Sequence, residues 1–138
     1  NLASRVEGLT KQYHLGFLIG PRTYEMVEKL ILCRSIDFVR VKGKAHHVKI
    51  YEPLVDLENP KTRDNSSVAE LRELTERFGA ALEEYRAGQF QKAKELFEKI
   101  NEWRPGGDGP SQVYVERCTE LIAEPPTEWD GIYTAKSK

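Results

Sequence analysis

The chain has 138 residues, 39% apolar and 31% charged, which suits one soluble domain or a small domain carrying a helical appendage. Its 21 basic and 22 acidic side chains leave a net charge of -1, so no global field favours nucleic acid or an anionic membrane surface. No apolar run approaches the ~20 residues that span a bilayer, and Cys33 and Cys118 form no C-x-x-C pair, so free thiols in a reducing cytosol are expected rather than a disulfide scaffold.

The opening segment NLASRVEGLTKQY spaces Leu2, Val6, Leu9 and Tyr13 at helical intervals. That spacing predicts a helix with one buried stripe and with Asn1, Arg5 and Gln12 on an adjoining face. His14 to Ile19 reads as a short strand. Gly20-Pro21 then launches a second helix with proline at its favoured first position, and Tyr24, Val27 and Leu30 supply its apolar face. From Ile31 the period changes to two, through Ile36, Phe38 and the Val39/Val41 set, and a second run follows from Val48 through Ile50 to Leu54. Between them Lys42-Gly43-Lys44-Ala45 predicts a β-hairpin with a basic, glycine-bearing turn.

Residues 55–67 are polar, contain Pro60 and lack periodicity, so they read as a linker. A helical region is expected over 68–124. Val68, Leu71, Leu74, Phe78, Leu82 and Tyr85 form one stripe as far as Gly88, and Phe90, Ala93, Phe97 and Ile100 continue it on another helix to the Pro105-Gly106-Gly107 break. Asp108 to Pro110 starts a third helix with Tyr114, Cys118, Leu121 and Ile122 on one side. The tail, 125–138, carries Trp129 and Tyr133 and is expected to lie along the helices. Because the first residue is not methionine and no capping residue precedes Asn1, the sequence reads as a fragment with upstream sequence absent.

Asn1 and Arg5, four residues apart on one helix face, point an amide and a guanidinium the same way. Guanidinium offers a rigid fork of donors to phosphate oxygens, and an amide both donates and accepts, so the pair suits a ribose and a phosphoryl group. Taken in order, Asn1-x-x-x-Arg5, the TYE helix of residues 23–25 and the hairpin IDFVRVKGKAHHVKIYEPL of residues 36–54 resemble the C-terminal part of a class III adenylate/guanylate cyclase catalytic domain. The resemblance covers residues 1–54. It implies an α+β, ferredoxin-like fold in which an antiparallel sheet flanked by helices pairs head to tail with a second subunit, or with the missing N-terminal half, around ATP. It also implies roles: Asn1 orients the ribose, Arg5 stabilises charge on the α-phosphoryl group, and Lys42 grips the terminal phosphates. Two Mg²⁺ or Mn²⁺ ions are implied as cofactors, held by aspartates upstream of Asn1. Purine choice stays open, with cyclic AMP favoured by its frequency among bacterial members.

The second half resembles a tetratricopeptide unit, with Ala81, Tyr85, Gly88, Phe90, Ala93, Phe97 and Pro105 at or near that repeat's small, aromatic, turn and terminating positions. Such a hairpin buries its apolar face against a neighbour. The third helix and the Trp129 tail would provide that cover, and a protein partner is the alternative. The whole is thus expected to be a nucleotide cyclase fragment, inactive alone and cytoplasmic, with membrane anchoring left to upstream regions. The rival reading is a tetratricopeptide-like interaction module attached to a non-catalytic cyclase remnant.

The remaining polar residues have simpler readings. Arg40 and Lys44 flank Lys42 as charges that keep a hairpin end soluble. His46 and His47 face opposite sides of a strand and do not pair on a metal. Asp37, Asp56 and Asp64 read as solvated carboxylates, His14 as a polar junction, and Trp103 and Trp129 as packing residues. No basic stripe accompanies the tryptophans, so no nucleic acid partner is expected.

Overall fold

Gly20-Pro21, Gly88 and Pro105-Gly106-Gly107 divide the chain as their backbone preferences dictate, and the elements fall between them. A computed structural model describes residues 8–40, 47–59 and 66–134. Among these the fold is α+β, a two-stranded antiparallel sheet with four α-helices and one 3₁₀ turn. Helix α1 spans Pro21–Val27, strand β1 Ile31–Arg40 and strand β2 His47–Asp56. Helix α2 spans Ser66–Arg86, α3 Phe90–Trp103 and α4 Gly109–Ala123.

Residues 1–7 of the expected opening helix lie outside the described residues. Its end, Thr10–Tyr13, is a 3₁₀ turn closed by His14 in the left-handed region at φ 59°. The stretch from His14 to Ile19 is not the regular strand its composition suggests. Only Ile19 pairs, exchanging two 2.9 Å backbone hydrogen bonds with Tyr51. The left-handed residue and Gly16 redirect the chain before a ladder can extend. Helix α1 begins with Pro21 as expected, but it stops at Val27. Leu30 therefore falls beyond it and is exposed, while Tyr24 lies flat on Tyr51, ring centroids 3.8 Å apart.

The hairpin contains two irregularities. Its register slips between Leu32 and Cys33 and again between Ser35 and Asp37. The second slip leaves Ile36 as an extra residue on β1. Ile36 and Asp37 are consequently both buried, although strict alternation would place them on opposite faces.

The helical half follows its sequence pattern closely. Helix α2 closes on Gly88, at φ 83°, where the amide of Gln89 reaches the carbonyl of Glu84 and that of Gly88 reaches Tyr85. This left-handed closure satisfies two carbonyls that the helix end would otherwise leave unpaired. Helix α4 starts from Asp108, whose carboxylate accepts from the backbone amide of Ser111 at 3.2 Å and from its hydroxyl at 2.6 Å. Gly109 is packed tightly there: a Cβ atom would sit 2.7 Å from the Cβ of His14 and 2.9 Å from the carbonyl of Tyr13.

Phe78, Phe97 and Tyr114 fill the centre, Phe97 and Tyr114 stacked with centroids 4.7 Å apart. Trp129 returns from the tail to donate its indole N–H to the carbonyls of Tyr85 and Arg86. Residues of the hairpin, Ile36 and Ile50, belong to the same buried cluster as Leu74, Phe78 and Tyr114 of the helices. The described parts of 1–54 and the helices of 68–124 thus share one core across the polar segment between them.

Polar links register that core. Arg34, fully buried on β1, donates Nη1 and Nη2 to the two carboxylate oxygens of Asp108 at 3.0 and 2.8 Å, and Nε to Glu52 at 2.8 Å. Its guanidinium also lies 4.7 Å from the Phe78 ring centroid. Burial pushes the Asp108 carboxyl up, but hydrogen bonds and attraction from Arg34, with Ser111 and Arg104, hold it below the ordinary value. Its stabilising contribution is therefore present above the ordinary carboxylate range and is lost as pH falls through the depressed folded-state value.

Replacing Asp108 by Ala removes the helix cap and strands a buried guanidinium, so it should lower stability by about 3–5 kcal/mol. Urea unfolding measures this. The paired change Arg34→Met with Asp108→Leu should lose distinctly less, because neither fully buried charge is left unpaired, and Glu52 and Arg104, which each lose a partner, are partly exposed to water.

Candidate functional site

The residues nominated from the sequence, Asn1, Arg5 and Lys42, lie outside the described residues, as do Lys44, His46 and Asp64. The nearest described residues are Gly8 after Arg5, and Arg40 and His47 around Lys42. Arg5 is followed by Leu9, and Lys42 follows Arg40. Leu9 and Arg40 line one cleft of about 240 Å³.

The inner wall of that cleft is a polar junction. Tyr13 donates its hydroxyl to Asp37 Oδ2 at 2.6 Å, and Arg117 on α4 donates Nη1 to the same oxygen at 2.7 Å and Nη2 to the Tyr13 hydroxyl at 3.1 Å. The second oxygen of Asp37 accepts from the Phe38 amide at 2.8 Å. Asp37 is therefore no solvated carboxylate: it is 2% exposed and fully engaged, because the extra residue at Ile36 turns it inward. Asp56, by contrast, is exposed as expected. One step back along β1, Tyr114 donates to the Ile36 carbonyl at 2.7 Å.

Around Arg117 the rings of Tyr133, Tyr114 and Tyr13 stand 4.4, 5.0 and 5.4 Å away. These faces stabilise a cation that water does not reach. Burial, followed by the nearby charge of Asp37, pushes the Tyr13 hydroxyl well above its ordinary pKa. Burial also raises Tyr85 and Tyr114, and pushes the Cys118 thiol up to about 12. Each of these shifts keeps its group protonated near neutral pH.

Arg40 reaches the tail, with Nη2 2.5 Å from Asp130 Oδ2 and Nη1 3.5 Å from the Thr134 hydroxyl. A wider hollow of about 710 Å³ lies beneath that tail, but among the described residues Glu120, Glu124, Glu128 and Asp130 line it against the single cation of Arg40. Its charge opposes a polyphosphate. Among the described residues, no group of three or more His, Cys, Asp or Glu side chains is arranged to hold a metal ion. Asp37 and Asp108, the two buried carboxylates among the described residues, are both committed to guanidinium groups.

Sequence reasoning missed the junction of Tyr13, Asp37 and Arg117. Tyr13 was expected inside as an apolar stripe residue, but partners 24 and 104 positions away leave no local pattern to read.

The chain is similar to part of the terminal-differentiation-specific adenylate cyclase of Dictyostelium discoideum, with 33% identity over 125 residues. The match takes in 88% of this chain and 6% of that protein, so the chain spans only a small part of its relative's length. No protein-family model matches the chain, and no solved structure matches it significantly.

The raised hydroxyls and thiol are stabilising below their ordinary pKa values, and that contribution is lost as pH rises toward the folded-state values. Of the six tyrosines, Tyr13, Tyr85 and Tyr114 should ionise only together with loss of native structure. Ultraviolet titration with circular dichroism measures this; smooth ionisation of all six in the folded protein would contradict the buried junction.

Proposed function

We propose that this chain supplies the ribose- and phosphate-directed side of a class III nucleotide cyclase centre, acting on ATP to form cyclic AMP and pyrophosphate. Similarity to an adenylate cyclase over most of the chain supports the reaction class. The observation that carries the site is the shared cleft: Leu9, four residues after Arg5, and Arg40, two before Lys42, line the same hollow. That shared lining supports reading Arg5 and Lys42 as parts of one site.

On this reading Asn1 holds the ribose, Arg5 meets charge developing on the α-phosphoryl group, and Lys42 binds the terminal phosphates. The 3′-hydroxyl attacks its own α-phosphorus, the bond to the bridging oxygen breaks, and pyrophosphate leaves. Such a step needs reactants held in line and growing charge neutralised more than it needs covalent chemistry from the protein. The described carboxylates do not fit the two Mg²⁺ or Mn²⁺ ions of this family, since the buried pair is occupied by Arg34 and Arg117. Those ions are assigned to aspartates of another part of the catalytic unit, either a second subunit in a homodimer or a preceding half. The ferredoxin-like sheet is completed in the same way.

The α2–α3 hairpin is read as tetratricopeptide-like, with Ala81 and Ala93 fully buried where the helices approach and Tyr85 and Phe97 filling the space between. Its apolar face is covered within the chain by α4 and Trp129. This favours a brace over a free protein-binding module. No described helix is long and apolar enough to cross a membrane, and a cytoplasmic setting is proposed from the intracellular substrate.

In the full-length protein, Arg5→Ala should lower kcat on the order of 10²-fold or more with little change in KM for ATP. An equal loss in kcat/KM through KM alone would make Arg5 a ground-state contact and contradict its assigned role. The 138-residue chain by itself should form no cyclic AMP, and measurable turnover would overturn the division of the site.

A further inference from the structure

Arg117 belongs to the last helix, far in sequence from every residue nominated for chemistry, yet it is 5% exposed and bound to both chain segments that lead to them. Tyr13 closes the turn that follows Arg5. Asp37 sits on β1, three residues before Arg40 and the hairpin connection that carries Lys42. The hydroxyl of Tyr13, one oxygen of Asp37 and two nitrogens of Arg117 form a closed triangle of hydrogen bonds, all between 2.6 and 3.1 Å.

We propose that Arg117 is a positioning residue for the cyclase centre, fixing the turn after Arg5 against the strand before Lys42. This inference rests on the proposed cyclase function. It assigns the helical extension a part in catalysis that a separable appendage would not have.

Three features support it. A guanidinium bonds two partners at once in a fixed fork, which an ammonium cannot reproduce. Rings of Tyr133 and Tyr114 hold its plane from the sides. Its partners are themselves fixed, Asp37 by the Phe38 amide and the inward turn at Ile36, and Tyr13 by the close seat of Gly109 against its carbonyl. A displacement of about 1 Å in such a frame is enough to cost on the order of 10²-fold in a reaction that depends on alignment. Arg117 touches no substrate; it acts through the two segments.

The test compares Arg117→Met, Arg117→Lys and Tyr13→Phe with Arg5→Ala in the full-length protein, each checked for folding by its thermal transition. Arg117→Met should lower kcat by at least ~10-fold with KM for ATP within about twofold. Arg117→Lys should recover part of the loss, and Tyr13→Phe, which removes one hydroxyl from the triangle, should lower kcat by about three- to tenfold. If Arg117→Met does not fold, Tyr13→Phe decides. Unchanged kcat in the folded variants, alongside a large loss in Arg5→Ala, would overturn the positioning role alone. Unchanged kcat in Arg5→Ala as well would overturn the cyclase reading beneath it.

Discussion

The structure depends on two buried guanidinium–carboxylate pairs of opposite polarity between strand β1 and helix α4. Arg34 on the strand meets Asp108 at the helix start, and Asp37 on the strand meets Arg117 two turns along the helix. Between them the Tyr114 hydroxyl takes the Ile36 carbonyl. Three polar links within four residues of β1 cannot be satisfied by any other register of strand against helix. A shift would part both buried pairs, leaving Arg34 only Glu52 and Asp108 only Arg104 and Ser111, a change that costs several kcal/mol for each broken pair. Apolar packing alone sets no such register, since Ile36, Phe78 and Tyr114 tolerate sliding far better than paired charges do.

Much of this fold was legible from periodicity. The three long helices begin and end close to their expected breaks because Gly88 and Pro105-Gly106-Gly107 are strong punctuation, and the antiparallel strand pair follows from the two period-two runs, while the expected turn at 42–45 lies outside the described residues. The buried charges were not legible. Period two through Ile36 and Phe38 assigns Asp37 to the solvated face, and only the extra residue at Ile36 brings it inward. Arg34 and Arg117 carry no local sign of burial, since their partners lie 74 and 80 residues away. The short strand expected from His14 to Ile19 failed for a local reason. A left-handed His14 and a bend at Gly16 leave room for one bridge, not a ladder. The nominated site residues could be read only through resemblance, and what the structure adds is the cleft that Leu9 and Arg40 share.

These observations bear on how the two halves of the chain relate. A linker of polar composition suggested separable units, yet the core is continuous across it. The helical region covers the inner face of the hairpin as a subunit neighbour would. Its tail touches both halves, with Trp129 on the end of α2 and Asp130 on Arg40 at the end of β1. The helices are thereby positioned to set the geometry of the segments around the proposed phosphate site without contributing a reacting group.

Hairpin and helices form one cooperative unit registered by the β1–α4 charge pairs. Native-state hydrogen exchange in the unaltered 138-residue chain tests it most directly, through the amides of Ser35 to Val39 on β1 and of Cys118 to Leu121 on α4. The account predicts that both sets open with the same free energy and the same denaturant dependence, as parts of a single global transition. Exchange of the β1 amides through a separate opening, several kcal/mol less costly than that of α4, would contradict it.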